Sequence, residues 1–354
     1  MSLPISESAI PGVETHPPVE KDGFSTARIT TVHKDSYAVL FKGAEIPAEI
    51  TGKMMFSAES ALDYPVCGDL VSIVAVDRDA FAVIHNIHPR KTLLKRKTSG
   101  KKISHQPIAA NIDTAFILCP IDTGVNTNKA ERYLVMVREA GITPILLLTK
   151  CDLASPDDVA VFRNEMETVI SHDSVIALSA KTGEGMEKLL PMLQPKNLYC
   201  LLGPSGAGKT SILNFVAGKH MFETAPVREA DGKGRHTTTR RQLCVLENGA
   251  MIVDTPGMRE LGHIGVADGI METFDEMDAL SGKCRYSDCT HTVEQGCAYL
   301  NALEKGDISP KRYENFMKMK RESDFHEMSY FEKKKRDKAF GKMCKSVMKS
   351  KTKK

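Results

Sequence analysis

The chain has 354 residues, with 48 Lys and Arg against 45 Asp and Glu, for a formal charge of +3. At 42% hydrophobic and 26% charged, it has the make-up of a globular protein and not of a collagen, a disordered chain or a uniformly basic histone-like one. It holds no run of about 18 apolar residues that would cross a membrane, and its length suits two or three domains.

Residues 1–22 are polar and proline-rich and lack a charged start followed by an apolar core, so they read as a loose tail and not a secretory signal. Residues 23–92 alternate with period two in TARITTV, YAVLF, DLVSIVAV and AFAVIHNI, broken by turn residues. That spacing predicts a small antiparallel barrel, OB-like in size, with an SH3-like barrel fitting the same pattern. Residues 93–110 read as a basic linker. From 111 to 262, apolar runs (Thr114–Cys119, Pro144–Thr149, Val175–Leu178, Leu198–Leu202, Ala250–Val253) alternate with helical stretches (Asn128–Ala140, Pro156–Ser171). This predicts a largely parallel α/β sheet covered on both faces. Residues 263–330 turn helical and polar around a Cys/His cluster, and 331–354 form a basic tail. The expected fold is thus multidomain α/β.

The modest net charge hides segregation. Arg90–Lys102 carries seven basic residues and no acid, and Lys333–Lys354 carries eleven against the single Asp337, which leaves −14 for the remainder. Two concentrated basic segments on an acidic body fit a polyanion met at defined places. In the tail, Ala339, Phe340, Met343 and Val347 recur at helical spacing among lysines. A helix that orders on RNA, a membrane-surface helix, a helix suited to an acidic protein partner and a plain tail all fit that pattern. Binding of RNA through these lysines is expected to weaken steeply with salt.

Gly203-Pro204-Ser205-Gly206-Ala207-Gly208-Lys209-Thr210 matches GxxxxGK[ST] between an apolar strand and a helix that opens at Ser211. Glycines let backbone N–H groups turn toward phosphate oxygens, and a helix N-terminus favours the same anion. Lys209 is expected to reach the β/γ-phosphates as a catalytic charge, and Thr210 to coordinate magnesium. Asp254-Thr-Pro-Gly257 follows the strand MIV, 44 residues after Thr210. Asp254 suits a second magnesium anchor, and the Gly257 N–H suits a γ-phosphate.

Thr149-Lys150-Cys151-Asp152 ends the strand ILLL. A carboxylate at Asp152 accepts from N1–H and the N2 amino group of guanine, a donor pair that adenine lacks. Lys150 can lay its aliphatic stem along the base. Ser179-Ala180-Lys181 follows VIAL and is placed to close over the other base edge. Each is weak alone; together, beside a phosphate loop, they point to guanine.

These residues resemble the NKxD, SAK, phosphate-loop and DxxG motifs of GTPases, with Thr149 in place of Asn. The order is base motif, SAK, phosphate loop, DxxG, as in circularly permuted GTPases. A barrel before and a Cys/His element after narrow the resemblance, over roughly 23–325, to the RsgA family of ribosome small-subunit-dependent GTPases. That resemblance implies a cytoplasmic GTPase active in late maturation of the 30S subunit, contacting its rRNA and stimulated by it. The expected chain is a monomer with no membrane partner. Permutation leads the chain from Gly257 directly toward the Cys/His element, so a γ-phosphate-sensitive switch is expected to bear on it.

Typical GTPases place Gln after DxxG to orient water; here stands Met258, so unaided hydrolysis should be slow. Gly234-Arg235-His236-Thr237-Thr238-Thr239 lies where a first switch belongs. His236 is the candidate for orienting water, Arg235 a candidate charge stabiliser, and one of Thr237–Thr239 a magnesium ligand. The resemblance also points to His236.

Cys284-x4-Cys289-x-His291-x5-Cys297 offers three thiolates and an imidazole, a set suited to one closed, structural zinc. The same spacing, with Glu294, fits the family pattern. The other cysteines are scattered and read as packing. Two rival readings are a nucleotide-gated RNA-binding module with incidental hydrolysis and a P-loop kinase that would have no need of Asp152.

Overall fold

A computed structural model of the chain describes residues 23–33, 36–97, 105–171, 174–218, 242–254 and 267–327. The chain divides into two compact units, Met1–Gly262 and His263–Lys354.

The first unit opens with strands β1 (Ser25–Val32), β2 (Tyr37–Phe41), β3 (Ala44–Ile50), β4 (Leu70–Val76) and β5 (Phe81–Ile87), with helix α1 (Gly52–Ser57) between β3 and β4. They pair in the order β1-β2-β3-β5-β4 and close through β1 with β4; β3 and β5 run parallel. Closure with one parallel pair after the helical insertion is OB topology, which separates it from the SH3-like alternative. Inward positions Ile29, Val39, Ile46, Ala48, Val71, Ile73 and Ile84 fill the barrel. Strand β3 escapes a sequence reading because AEIPAEI puts Pro47 and two glutamates on its outward face, hiding the inward Ile46 and Ala48.

The chain then forms a hairpin of β6 (Leu93–Lys97) and β7 (His105–Ala110), where a linker was expected. Leu94, Ile108 and Ala109 are buried beneath it, which is why the stretch folds despite its charge. Arg90 is not free to meet a polyanion. Its guanidinium donates to both carboxylate oxygens of Asp69 at 2.8 Å and to the carbonyls of Leu62 (2.7 Å) and Tyr64 (2.9 Å). Arg96 is likewise committed to Gln106. Asp69 is fully buried, and removing one partner of a buried pair costs about 3–5 kcal/mol. Arg90→Ala is therefore expected to destabilise the barrel by about that much in urea denaturation; a loss below about 1 kcal/mol would show that Asp69 needs no counter-charge.

Beyond it lie β8 (Thr114–Pro120), α2 (Thr127–Glu139), β9 (Thr143–Thr149), α3 (Pro156–Glu167), β10 (Val175–Ala177), α4 (Met186–Leu189), β11 (Leu198–Leu202), α5 (Lys209–Val216), β12 (Gln242–Val245) and β13 (Met251–Asp254). The strand order is β10-β9-β8-β11-β13-β12, all parallel except β12. Alternate residues feed two cores. Ile117, Leu146, Leu148 and Leu202 pack with α2 and α3, while Phe116, Leu147, Tyr199 and Leu201 pack with α4 and α5. Burial on both faces explains the unbroken apolar runs. Strand β12 pairs on its outer side with β1 of the barrel (Thr31 opposite Gln242), so barrel and α/β layer share one eleven-stranded sheet.

The second unit contains α6 (Ala267–Thr273), α7 (Asp275–Asp278), α8 (Ala298–Lys305) and α9 (Pro310–Glu327). Phe274, Phe316 and Tyr299 form its aromatic core, and Arg312 sits 4.8 Å over the Phe274 ring while also bonding Glu276. Among the described residues, no helix is long and apolar enough to cross a membrane.

Candidate functional site: a nucleotide cleft and a metal cluster

Chain order moves outward from β8 to β9 and β10, then returns to β11 on the other side of β8. That reversal is a topological switch point, and ligands of open α/β sheets bind outside the carboxyl ends of strands there. The sequence motifs all fall at such ends.

After β11, Gly203–Gly208 turns into α5. Gly203 has φ 151°, and a Cβ there would lie 2.9 Å from the Leu118 carbonyl oxygen. Gly208, at φ 94°, caps α5 in a left-handed conformation and sets Lys209 and Thr210 in its first turn. Pro204, Ser205 and Gly206 form the outer turn, while Ala207 is buried. Lys209 Nζ donates to the carbonyls of Gly203 and Pro204 at 2.8 Å each. Burial lowers the pKa of Lys209, and the charge of Asp254 opposes that shift. Asp254 itself is buried at the end of β13. A carboxylate and the Thr210 hydroxyl are hard oxygen donors of the kind magnesium takes.

The base-motif residues are tied down one by one. Thr149 is buried, and its hydroxyl donates to the Ala207 carbonyl at 2.7 Å. The Thr that stands where Asn is usual therefore does bridge the base motif to the phosphate loop. Lys150, at φ 63°, pairs with Asp122 at 2.5 Å. Asp152 accepts the Ser179 hydroxyl at 2.6 Å and lies 3.7 Å from Lys181 Nζ. Ser179 is wholly buried and accepts from the N–H groups of Lys181 and Thr182. Thr149, Lys150, Asp152, Ser179, Ala180 and Lys181 share one cleft of about 260 Å³ with Gly208, Ser211 and the exposed Leu153. Cys151 is the exception. Its side chain is buried with Sγ 3.4 Å from the Leu148 carbonyl oxygen, so it packs and does not line the cleft.

Leu153, Leu178 and Ile212 also line the cleft without belonging to a motif, and Asp122 bears on it only through Lys150. Leu153 follows the base motif, and Asp122 sits in the turn after β8 (Ile121–Thr123). The signal for Asp122 was its place just past the end of an apolar strand, the same kind of place that drew attention to Asp152. His236, Gly257, Met258, Arg235, Thr237–Thr239 and the tail 331–354 lie outside the described residues.

In the second unit, one ligand atom each of Cys284, Cys289, His291 and Cys297 fits within 4.8 Å of all the others. His291 Nδ1 is 3.4 Å from Cys284 Sγ and 3.6 Å from Cys297 Sγ, and the two sulfurs are 4.0 Å apart. Tetrahedral zinc with bonds near 2.3 Å to sulfur and 2.0–2.1 Å to nitrogen requires about 3.6 Å and 3.8 Å for these separations. The cluster fits such an ion. Glu294 is not one of the clustered ligands. Its carboxylate accepts from Thr290, Thr292 and Val293, which pins the loop and holds its pKa well below the usual range.

A phosphate loop after the central strand, preceded in the chain by a base motif on the same parallel sheet, defines a circularly permuted P-loop GTPase. Residues 87–264 match the RsgA GTPase family. Over 87% of its length the chain is 36% identical to the small ribosomal subunit biogenesis GTPase RsgA of Opitutus terrae, of which the match covers 86%. It is similar in structure to YjeQ from Thermotoga maritima, with TM-score 0.61 and 28% identity over 84% of this chain and 98% of that one. It shares the fold of YloQ, a circularly permuted GTPase, with TM-score 0.62 and 20% identity over 88% and 100% of the two chains. The chain belongs to the RsgA GTPase family and is a GTP-hydrolysing enzyme.

Proposed function

We propose that this enzyme acts in late maturation of the small ribosomal subunit, the process for which its relatives are named, as a GTP-driven assembly factor contacting the subunit's rRNA. The observation that carries the nucleotide half of this reading is Asp152, held by Ser179 in a cleft that runs onto the phosphate-loop helix. Asp152 reads the guanine edge, the Lys150 stem covers a base face, and Ser179–Lys181 close the other edge. Backbone N–H groups of Gly203–Gly208 receive the phosphates, and Lys209 shifts its donors from loop carbonyls to the β/γ-oxygens. Thr210 and Asp254 hold magnesium, which neutralises charge developing on the phosphates. The Gly257 N–H meets the γ-phosphate, and His236 orients the attacking water. Cys284, Cys289, His291 and Cys297 hold one structural zinc, which supplies folding energy to the second unit. The chain works in the cytoplasm as a monomer.

Turnover assayed with and without purified small subunits tests this. Clear stimulation supports a subunit-dependent timer; none leaves an RNA-binding module with incidental hydrolysis. His236→Ala is expected to lower the stimulated rate by about 10²–10⁴, the usual worth of a positioned proton acceptor, with nucleotide affinity intact. Unchanged stimulated turnover would remove His236 from the mechanism.

A further inference from the structure

Three side chains of the base motif are each tied to another loop. Thr149 is tied to the phosphate loop and Asp152 to Ser179, and both belong to recognised motifs. The third tie, Lys150 to Asp122, runs to a residue in no motif. Strands β8 and β9 are parallel neighbours with Pro120 opposite Thr149, so the turn Ile121–Thr123 and the turn Cys151–Leu153 emerge side by side at the carboxyl edge. Lys150 is left-handed at φ 63°, a conformation uncommon for a residue with a Cβ, and its Nζ sits 2.5 Å from Asp122 Oδ2. A lysine stem has several free torsions, and fixing them costs conformational entropy. The pair leaves side-chain exposures of only 24% and 28%, so that ordering is done before nucleotide arrives.

We propose that Asp122 is a positioning residue for guanine-nucleotide binding: it anchors the Lys150 ammonium so that the lysine methylenes form a ready-made wall for the base face. This rests on the reading of the cleft as the guanine site. A wall on the face does not discriminate between bases by their edge groups. Asp122 therefore sets affinity, while Asp152 sets selectivity.

The two roles separate in one experiment on the full chain. Dissociation constants for GDP and IDP, whose base lacks the N2 amino group, are measured for the parent, Asp122→Ala, Asp122→Glu and Asp152→Ala. Asp122→Ala is expected to weaken both nucleotides about 3–10-fold, equivalent to about 0.7–1.4 kcal/mol, with the GDP/IDP ratio unchanged. Asp122→Glu, which keeps the charge, is expected to recover most of the loss. Asp152→Ala is expected to collapse the ratio. Unaltered affinity in Asp122→Ala, or a changed ratio, overturns the role of Asp122 while the guanine site stands on Asp152. If Asp152→Ala also leaves the ratio unmoved, the guanine-site reading falls and takes this inference with it.

Discussion

Stripping the proposed zinc from the cluster of Cys284, Cys289, His291 and Cys297 is expected to unfold the second unit while the first keeps its structure. The reason is how the ligands are built into a small core. His291 packs 4.0 Å from Tyr299, Tyr299 stacks on Phe316, and Phe316 meets Phe274 edge-on, so the imidazole is the first ring of the unit's aromatic core. The Ala298 N–H at the start of α8 points to Cys284 Sγ at 3.4 Å, which ties the helix to the cluster as well. His291 adopts φ 62° and its carbonyl accepts from Tyr313 of α9. The described part of the unit, residues 267–327, is a stretch of a size whose core rarely contributes more than about 3–5 kcal/mol, while structural zinc in small domains contributes on the order of 10 kcal/mol. Losing the ion therefore exceeds what the apolar contacts supply. Chelation, or Cys297→Ser, should abolish hydrogen-exchange protection in α8 and α9 and leave β8, β9 and β11 protected. Retained protection in α8 after confirmed metal loss would mean the rings suffice.

The sequence made the α/β layer legible because its strands are buried on both faces. Thr114–Cys119, Pro144–Thr149 and Leu198–Leu202 needed no partner to be recognised, and the observed strands differ from them by a residue at most. Strand β12 was missed because only Leu243 and Cys244 of its four residues are buried, and its place is fixed by β13 and the distant β1. The basic stretch after the barrel misled for a related reason. A run of basic residues does not reveal that Arg90 is neutralised by Asp69, twenty-one positions earlier. Motifs were visible because their chemistry demands particular residues at fixed spacing. The Thr149 bridge to Ala207 was not legible, since a hydroxyl shorter than the usual amide reaches the loop only in a particular packing, which spacing does not give. Asp122 carried no signal beyond its place past an apolar strand, because its partner is set by the pairing of β8 with β9 and not by any local pattern.

Asp152→Asn is expected to weaken GTP by roughly 10–100-fold, the equivalent of about 1–3 kcal/mol for a lost bidentate contact. The carboxylate is well placed to be read this way. Ser179, itself buried and fixed by two backbone N–H groups, spends its hydroxyl on one oxygen of Asp152, which leaves the other carboxylate lone pairs for the base. Asn keeps the size and the bond to Ser179 but replaces one acceptor with an NH2 group. That group opposes the guanine donors and suits a carbonyl at C2 instead, so affinity for xanthosine triphosphate should rise as affinity for GTP falls. The phosphate loop is held by Thr149 and not by Asp152, so turnover with saturating xanthosine triphosphate should approach that of the parent with GTP. KM measured for both nucleotides, with and without small subunits, decides the matter. Unchanged selectivity would mean the base is read elsewhere, whereas a fall for both nucleotides would mean that Asp152 acts by holding the Ser179 loop in place.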